Sequence, residues 1–151
     1  MGRSPLGTIL AALVALSLPF ISLATEAADK PAKQVGAVRN KIVFQISDDD
    51  QRKWSGVLIN VKNIQQDLGA HNVVIAVVVY GSGLGMLTFD SPVGSEVAEA
   101  ISTGVEFVAC ENTMKGQHLT RDDMLPSLHY APAAIVELMK KQQQGYAYIK
   151  P

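Results

Sequence analysis

The apolar run from Val73 to Val79 constrains the fold of this chain more than any other segment. Every residue in the run is Val, Ile or Ala. A strand with one face in water alternates apolar and polar side chains, whereas an uninterrupted run is typical of a strand covered on both faces, as in parallel sheets. Residues 72–80 are therefore predicted to form a strand of a parallel sheet.

Strands and helices alternate along the rest of the chain. A long helix is predicted from about Asp50 to Leu68, because apolar residues recur there every three or four positions and Gly69 is suited to end a helix. The apolar positions are Trp54, Val57, Leu58, Val61, Ile64 and Leu68. Further strands are expected at residues 41–46, 105–109, 128–131 and 146–149.

Two more helices complete the pattern. Ser91 and Pro92 are typical of a helix start, and that helix is expected to end at Gly104. Pro132 is expected to open a last helix, whose inward-facing residues would be Ile135, Leu138 and Met139. This alternation predicts an α/β protein, a three-layer α/β/α sandwich around a mostly parallel sheet of five strands.

The first residues are typical of a secretory signal. Arg3 precedes an apolar stretch from Thr8 to about Leu23, and small residues at Ser22 and Ala24 suit signal peptidase. We therefore predict a signal peptide at residues 1–24, a flexible lead-in at residues 25–40 and one domain at residues 41–151. The alternative is an uncleaved membrane anchor, although Pro19 interrupts the stretch. Cleavage would leave a periplasmic or secreted protein, which contacts the membrane only through its leader and only before cleavage.

Charge argues against nucleic acid as a partner. The formal net charge is -1, and no basic patch of the kind needed to bind a phosphate backbone is evident. The three aspartates at positions 48–50 are suited to cap the long helix, with a cation site as the weaker alternative. The glycines of residues 81–85 do not fit a dinucleotide-binding motif, and His71, His118 and His129 share no metal-ligand spacing. No cofactor or metal site is predicted.

Cys110 is the one candidate for chemistry. It is the sole cysteine, so no disulfide within the chain can form, and an exported thiol is a liability unless it is buried or used. It ends the predicted third strand, and ligands of parallel sheets bind beyond the carboxyl ends of strands where the winding reverses. With a flavodoxin-like strand order, Cys110 and residues 47–50 would line one crevice, and the thiol would be at least partly accessible.

The reactivity of this thiol depends on its thiolate form. A helix starting after Cys110, together with Lys115, would lower the thiol pKa, whereas Glu111 and Asp48 would raise it. The residue pattern leaves the sign of the shift open. It also leaves open the simpler interpretation, in which Cys110 is a small apolar residue of the core.

Three segments resemble the DsrE/DsrF-like family of sulfur-relay proteins. They are Phe107-Val108-Ala109-Cys110-Glu111-Asn112-Thr113-Met114, Asp122-Asp123-Met124-Leu125-Pro126 and the closing residues 143–151. The resemblance extends weakly back to Lys41 through the loop at Gly81. It implies a flavodoxin-like sandwich that commonly assembles into trimers or hexamers. It also implies a cysteine, here Cys110, that carries sulfur as a persulfide in the characterised relay members.

Two functions follow as hypotheses. The first is an exported persulfide carrier, at most a sulfur-transfer protein, that uses Cys110 with a sulfur donor or acceptor protein as partner. The second is a non-enzymatic homo-oligomeric module that binds a small ligand and keeps Cys110 as a structural residue. An open, electropositive setting of the thiol would favour the first, and a packed apolar setting the second.

The signal peptide is directly testable. We expect the exported protein to begin near Thr25 or Ala28, because both follow small residues at the positions that signal peptidase reads. Intact-mass analysis of protein recovered from a Gram-negative expression host measures this. Recovery of the Met1 terminus in the membrane fraction would instead indicate an anchor.

Overall fold

The computed structural model describes residues 40–151, so the predicted signal peptide and all of the lead-in except Asn40 lie outside it. The strands are β1 (Asn40–Ile46), β2 (Val73–Val79), β3 (Glu106–Cys110), β4 (His129–Ala131) and β5 (Ala147–Ile149). The helices are α1 (Gln51–Leu68), α2 (Gly94–Ser102), α3 (Glu111–Gly116) and α4 (Ala134–Gln143). Three short 3-10 helices cover Ala70–Asn72, Gly81–Leu87 and Arg121–Asp123.

The five strands form one parallel sheet in the order β4-β3-β2-β1-β5. β2 is its middle strand, paired with β1 from Asn40–Val73 to Ile46–Val79 and with β3 on the other side. Six of its seven residues are buried, and Val74 is half-buried. This confirms the prediction from the uninterrupted apolar run.

Helices cover both faces of the sheet, which confirms the three-layer α/β/α sandwich. On one face, α1 and α2 pack over a large core that includes Phe44, Val77 and Phe107. On the other face, α4 packs over a smaller core that includes Val43 and Val78. Neighbouring residues of β1, β2 and β3 therefore enter different cores, as the strand geometry requires.

Helix α1 begins and ends where the sequence predicts. The Asp50 carboxylate accepts a hydrogen bond of 2.9 Å from the Arg52 N–H, and Gly69 ends the helix with φ of +83°. Trp54, Val57 and Val61 of the predicted stripe are buried, whereas Leu68 in the last turn is exposed. The side chains of the first three turns therefore attach α1 to the sheet.

The strand order differs from the flavodoxin order 2-1-3-4-5. Here β1 to β4 follow one another across the sheet, and the chain then returns over the opposite face to add β5 beside β1. Because β2 separates β1 from β3, the prediction that residues 47–50 and Cys110 line one crevice is wrong. The winding reverses between β3 and β4 instead. The chain after β3 packs over the larger core, whereas α4, which follows β4, packs over the smaller core on the other face.

Two helices depart from the predicted pattern. α2 starts at Gly94 rather than at Pro92, and the side chain of Ser91, the expected cap, accepts a hydrogen bond from the Val93 N–H. In α4, Leu138 is buried as expected, but the expectation for Ile135 and Met139 is wrong, because they are 62% and 49% exposed. None of the helices within residues 40–151 is long and apolar enough to cross a membrane.

The orientation of α4 explains its exposed residues. Its inward stripe is Ala134, Leu138 and Lys141, at spacings of four and three. Each residue advances a helix by about 100°, so a residue adjacent to the stripe points away from it. Ile135 and Met139 each follow a stripe residue by one position and therefore face outward.

Lys141 attaches the end of α4 to the sheet. Its side chain is 8% exposed, and its Nζ lies 2.6 Å from a carboxylate oxygen of Glu106 at the start of β3. Glu137, one turn earlier, is 3.8 Å away, and the Tyr146 ring centroid is 5.2 Å away. The buried ammonium thus has a carboxylate partner, which a buried charge requires.

This attachment gives a prediction on stability. Lys141→Met should lower the free energy of unfolding by about 1–3 kcal/mol, because it leaves the Glu106 carboxylate without its partner. Urea denaturation measures the change. Lys140→Met is the matched control, because Lys140 lies on the exposed side of the same helix. Equal stability of the two variants would show that the ion pair contributes nothing.

Candidate functional site

Cys110 lies at the carboxyl edge of the sheet, where the winding reverses. It is the last residue of β3 and immediately precedes α3. In the neighbouring strand it pairs with Ala131, after which Pro132 and Ala133 lead into α4. Ligands of parallel sheets bind at such reversals. Cys110 therefore lies at a reversal of winding, as the sequence predicts. The reversal lies between β3 and β4, however, and not between β1 and β3.

The thiol is less accessible than its position predicts. The Cys110 residue is 5% exposed and packs into the smaller core beneath α4. Its companions in that core are Val43, Ala76, Val78, Val108, Ala131, Ala134 and Leu138. In the protonated form, Sγ donates to the carbonyl of Pro132 at 3.9 Å. The expectation of a partly open thiol is therefore wrong for this chain alone.

Polar groups of α3 and α4 nevertheless influence the ionisation of the thiol. Burial raises the pKa of the Cys110 thiol, but donors that favour the thiolate outweigh it, and the pKa lies below its ordinary value. After burial, the contributions in order of size come from the hydroxyl and the N–H of Thr113, then the N–H groups of Ala134 and Asn112. Ala134 begins α4 and the others belong to α3, so two chain segments converge on the sulfur.

The two carboxylates expected to raise the thiol pKa, those of Glu111 and Asp48, form ion pairs with basic side chains. The Glu111 carboxylate is 3.0 Å from the Arg121 guanidinium, which also stacks 4.2 Å from the Tyr130 ring centroid. Asp48 pairs with Lys53, and the pKa of its carboxyl is lowered by that hydrogen bond and by the lysine charge. Neutral donors, rather than these charges, therefore decide the direction of the shift at Cys110.

Tyr80 is a neighbour of the site that sequence reasoning missed. It directly follows β2, the strand next to β3, and its ring packs against the core that contains Cys110. Its oxygen accepts a 2.6 Å hydrogen bond from Gln45, whose amide oxygen in turn accepts from Tyr148. Burial, and next the proximity of Tyr148, raise the pKa of Tyr80, so it stays protonated at neutral pH. In the sequence, the polar Gln45 within an apolar strand was the signal that could have indicated a buried polar partner such as Tyr80.

The other residues weighed in the sequence do not join Cys110. Asp50 caps α1, which confirms the capping interpretation for that residue, and Asp48 pairs with Lys53. The Gly81 loop forms a 3-10 helix instead of a phosphate-binding turn before a long helix. Within residues 40–151, His, Cys, Asp and Glu side chains form no group of three or more arranged to hold a metal ion.

Solved structures resemble this fold. A protein of unknown function from Methanobacterium thermoautotrophicum, MTH1491, is 33% identical, with a TM-score of 0.71 over 74% of this chain and 99% of that one. A conserved protein of unknown function from Bacteroides thetaiotaomicron, BT1422, is 12% identical, with a TM-score of 0.62 over 77% of this chain and 98% of that one. The second similarity concerns the fold alone.

Sequence comparison identifies the family. No curated protein matches the chain. The sequence signature described as the DsrE/DsrF-like family matches residues 40–151, which include β1 to β5, α1 to α4 and Cys110. This span agrees with the resemblance seen around Cys110 and in the closing residues. The protein belongs to the DsrE/DsrF-like family.

Proposed function

We propose that this protein is a persulfide carrier and that Cys110 accepts the sulfur. The observation that supports it most is the position of Cys110 at the end of β3, where the winding reverses, and hydrogen bonding also lowers the pKa of its thiol in spite of burial. A larger thiolate fraction at neutral pH increases the amount of the species that attacks sulfur. The association of the DsrE/DsrF-like family with sulfur relay supports the same chemistry.

The transfer is a thiol exchange at sulfane sulfur. The Cys110 thiolate attacks the outer sulfur of a donor persulfide or polysulfide. A bond forms between Sγ and that sulfur, the donor's sulfur–sulfur bond breaks, and the electron pair leaves on the rest of the donor, a thiolate from a persulfide or a shorter anion from a polysulfide. An acceptor thiolate then attacks the outer sulfur carried on Cys110, which regenerates the Cys110 thiolate. Neither step requires an additional oxidant or reductant.

Burial limits which donors reach the sulfur. Cys110 is covered by the first residues of α4 and by the turn at Pro132. A small polysulfide anion needs less opening of this cover than a protein persulfide does. We therefore use inorganic polysulfide as the probe for the carrier function.

Sulfur uptake is the decisive experiment. After incubation with polysulfide, the native protein should gain the mass of one sulfur atom, which cyanide or a reductant removes. Intact-mass spectrometry measures the gain, and Cys110→Ser should show none while remaining folded by circular dichroism. A native thiol that stays unmodified in excess polysulfide would exclude the carrier function.

The burial of Cys110 favours a second candidate, a non-enzymatic oligomeric module that binds a small ligand. In that case Cys110 fills the core beneath α4 and takes up no sulfur. Cys110→Ser destabilises the fold under either candidate, because a hydroxyl is more costly than a thiol in an apolar site. The mass measurement on the unsubstituted protein therefore separates the two candidates.

We also propose export and self-association. The signal-like residues 1–24 support a periplasmic or secreted location. The exposed apolar residues of α4, Ile135, Val136 and Met139, support a contact with further copies of the chain. The family resemblance favours a trimer or hexamer.

Assembly is tested by light scattering at micromolar concentration. We expect a homo-oligomer, with a trimer preferred, and we expect Ile135→Lys with Met139→Lys to dissociate it by placing two charges on the apolar surface of α4. Ile59→Lys is the matched control, because Ile59 is 58% exposed on α1, on the other face of the sheet. A monomer mass for the unsubstituted protein would contradict the proposal.

A further inference from the structure

Phe89 is the most exposed of the large apolar side chains within residues 40–151, at 77%. The backbone that carries it is nevertheless fixed. The Phe89 N–H donates to the Asp123 carbonyl at 2.8 Å, and the Leu125 N–H donates to the Leu87 carbonyl at 2.9 Å. Leu87, two residues before Phe89, is fully buried in the larger core. The aromatic ring is therefore held in place by its backbone while its surface remains in solvent.

An exposed aromatic ring on a fixed backbone is suited to bind a partner. The ring buries a large apolar area on binding, and the fixed backbone reduces the conformational entropy that binding costs. Aromatic anchors of this kind carry most of the affinity in many protein interfaces. Leu119 lines the same open cleft as Phe89 and is half-buried, so it extends the apolar area beside the ring.

Carboxylates surround the ring on this surface. Asp90 follows Phe89 directly, and Asp122 and Asp123 line the same cleft. The nearby guanidinium of Arg121 is already engaged in an ion pair. An apolar surface rimmed by carboxylates complements a partner surface that is apolar and basic. We call the cleft residues the Phe89 surface, namely Phe89, Asp90, Leu119, Asp122 and Asp123.

Helix α4 of the same chain carries a surface of the complementary kind. Its exposed apolar residues are accompanied by two exposed lysines, Lys140 in the helix and Lys41, whose Nζ donates to the Gln144 carbonyl at the end of the helix at 3.0 Å. Within residues 40–151 neither of these lysines forms an ion pair. We call this set the α4 surface, namely Lys41, Ile135, Val136, Met139 and Lys140.

We propose that the Phe89 surface of one copy of the chain binds the α4 surface of the next copy. This inference rests on the proposed self-association and names the second surface that it uses. The two surfaces adjoin different faces of the sheet, because Leu87 beside Phe89 belongs to the larger core and α4 covers the smaller one. After one contact has formed, each copy therefore keeps one surface free. A heterologous contact of this kind extends beyond a dimer and closes into a ring where the rotation between copies allows.

Charge favours this pairing over the contact of like surfaces. Two α4 surfaces packed against each other would bring lysines together, and two Phe89 surfaces would bring aspartates together. Like charges opposed across an interface are unfavourable, whereas the unlike surfaces attract each other. The apolar side chains supply affinity in this contact, and the charges select which surfaces meet.

A single substitution tests the Phe89 surface. Phe89→Lys removes the aromatic anchor and opposes the lysines of the α4 surface, so it should weaken each contact by at least about thirtyfold. Light scattering at micromolar concentration should then show a monomer. Ile59→Lys is the matched control, because Ile59 is also an exposed apolar residue, and it should leave the mass unchanged. Circular dichroism checks the fold, which the backbone hydrogen bonds of Phe89 still support.

Mixing two defective variants identifies the partner surface. Phe89→Lys retains its α4 surface, and Ile135→Lys with Met139→Lys retains its Phe89 surface. An equimolar mixture should therefore form a 1:1 dimer, although each variant alone is a monomer. Growth should stop at the dimer, because the two surfaces that remain free on it are the defective ones. Native mass spectrometry measures the composition.

Every other outcome contradicts the proposal. A monomer for the unsubstituted protein overturns it together with self-association. An oligomer that persists in Phe89→Lys overturns it alone and indicates that α4 contacts another surface or that Phe89 binds a different protein. A mixture that remains monomeric shows that the two surfaces do not meet. If Phe89→Lys does not fold, Asp90→Lys with Asp122→Lys replaces it in both measurements, since it reverses charge on the same surface.

Discussion

The burial of β2 on both faces is the constraint on which the rest of the structure depends. Its side chains enter two cores, and each core needs helices to cover it. The connections between β1, β2, β3 and β4 cover one face. The other face is covered by α4, so the chain must return across the sheet before β5. That return creates the reversal of winding beside Cys110.

The environment of Cys110 is a balance of two opposing effects. The apolar core beneath α4 excludes water, which alone would keep the thiol protonated. Hydrogen bonding from the Thr113 hydroxyl and nearby backbone N–H groups favours the thiolate and outweighs this effect. A carrier of sulfur benefits from both properties, since burial protects a persulfide and the donors keep its thiolate available.

Helix α4 connects the features of this face. Its first residue packs in the same core as Cys110, its buried lysine binds Glu106, and its exposed surface includes Ile135, Val136 and Met139. A change in how α4 is packed would therefore alter access to the thiol. This coupling is a consequence of a single helix covering a whole face of the sheet.

The sequence by itself determined the local structure and the kind of sheet. The run from Val73 to Val79 predicted a strand buried on both faces, and Asp50 and Gly69 marked the ends of α1, because periodicity and capping depend on residues close in the chain. The position of Cys110 at a strand end was visible for the same reason. Only the tertiary structure decided the strand order, the outward direction of Ile135 and the donors around the sulfur. The contacts that matter there join Gly81 to Thr113 and Gln45 to Tyr148, pairs 32 and 103 residues apart, and they exist only once the whole sheet has formed.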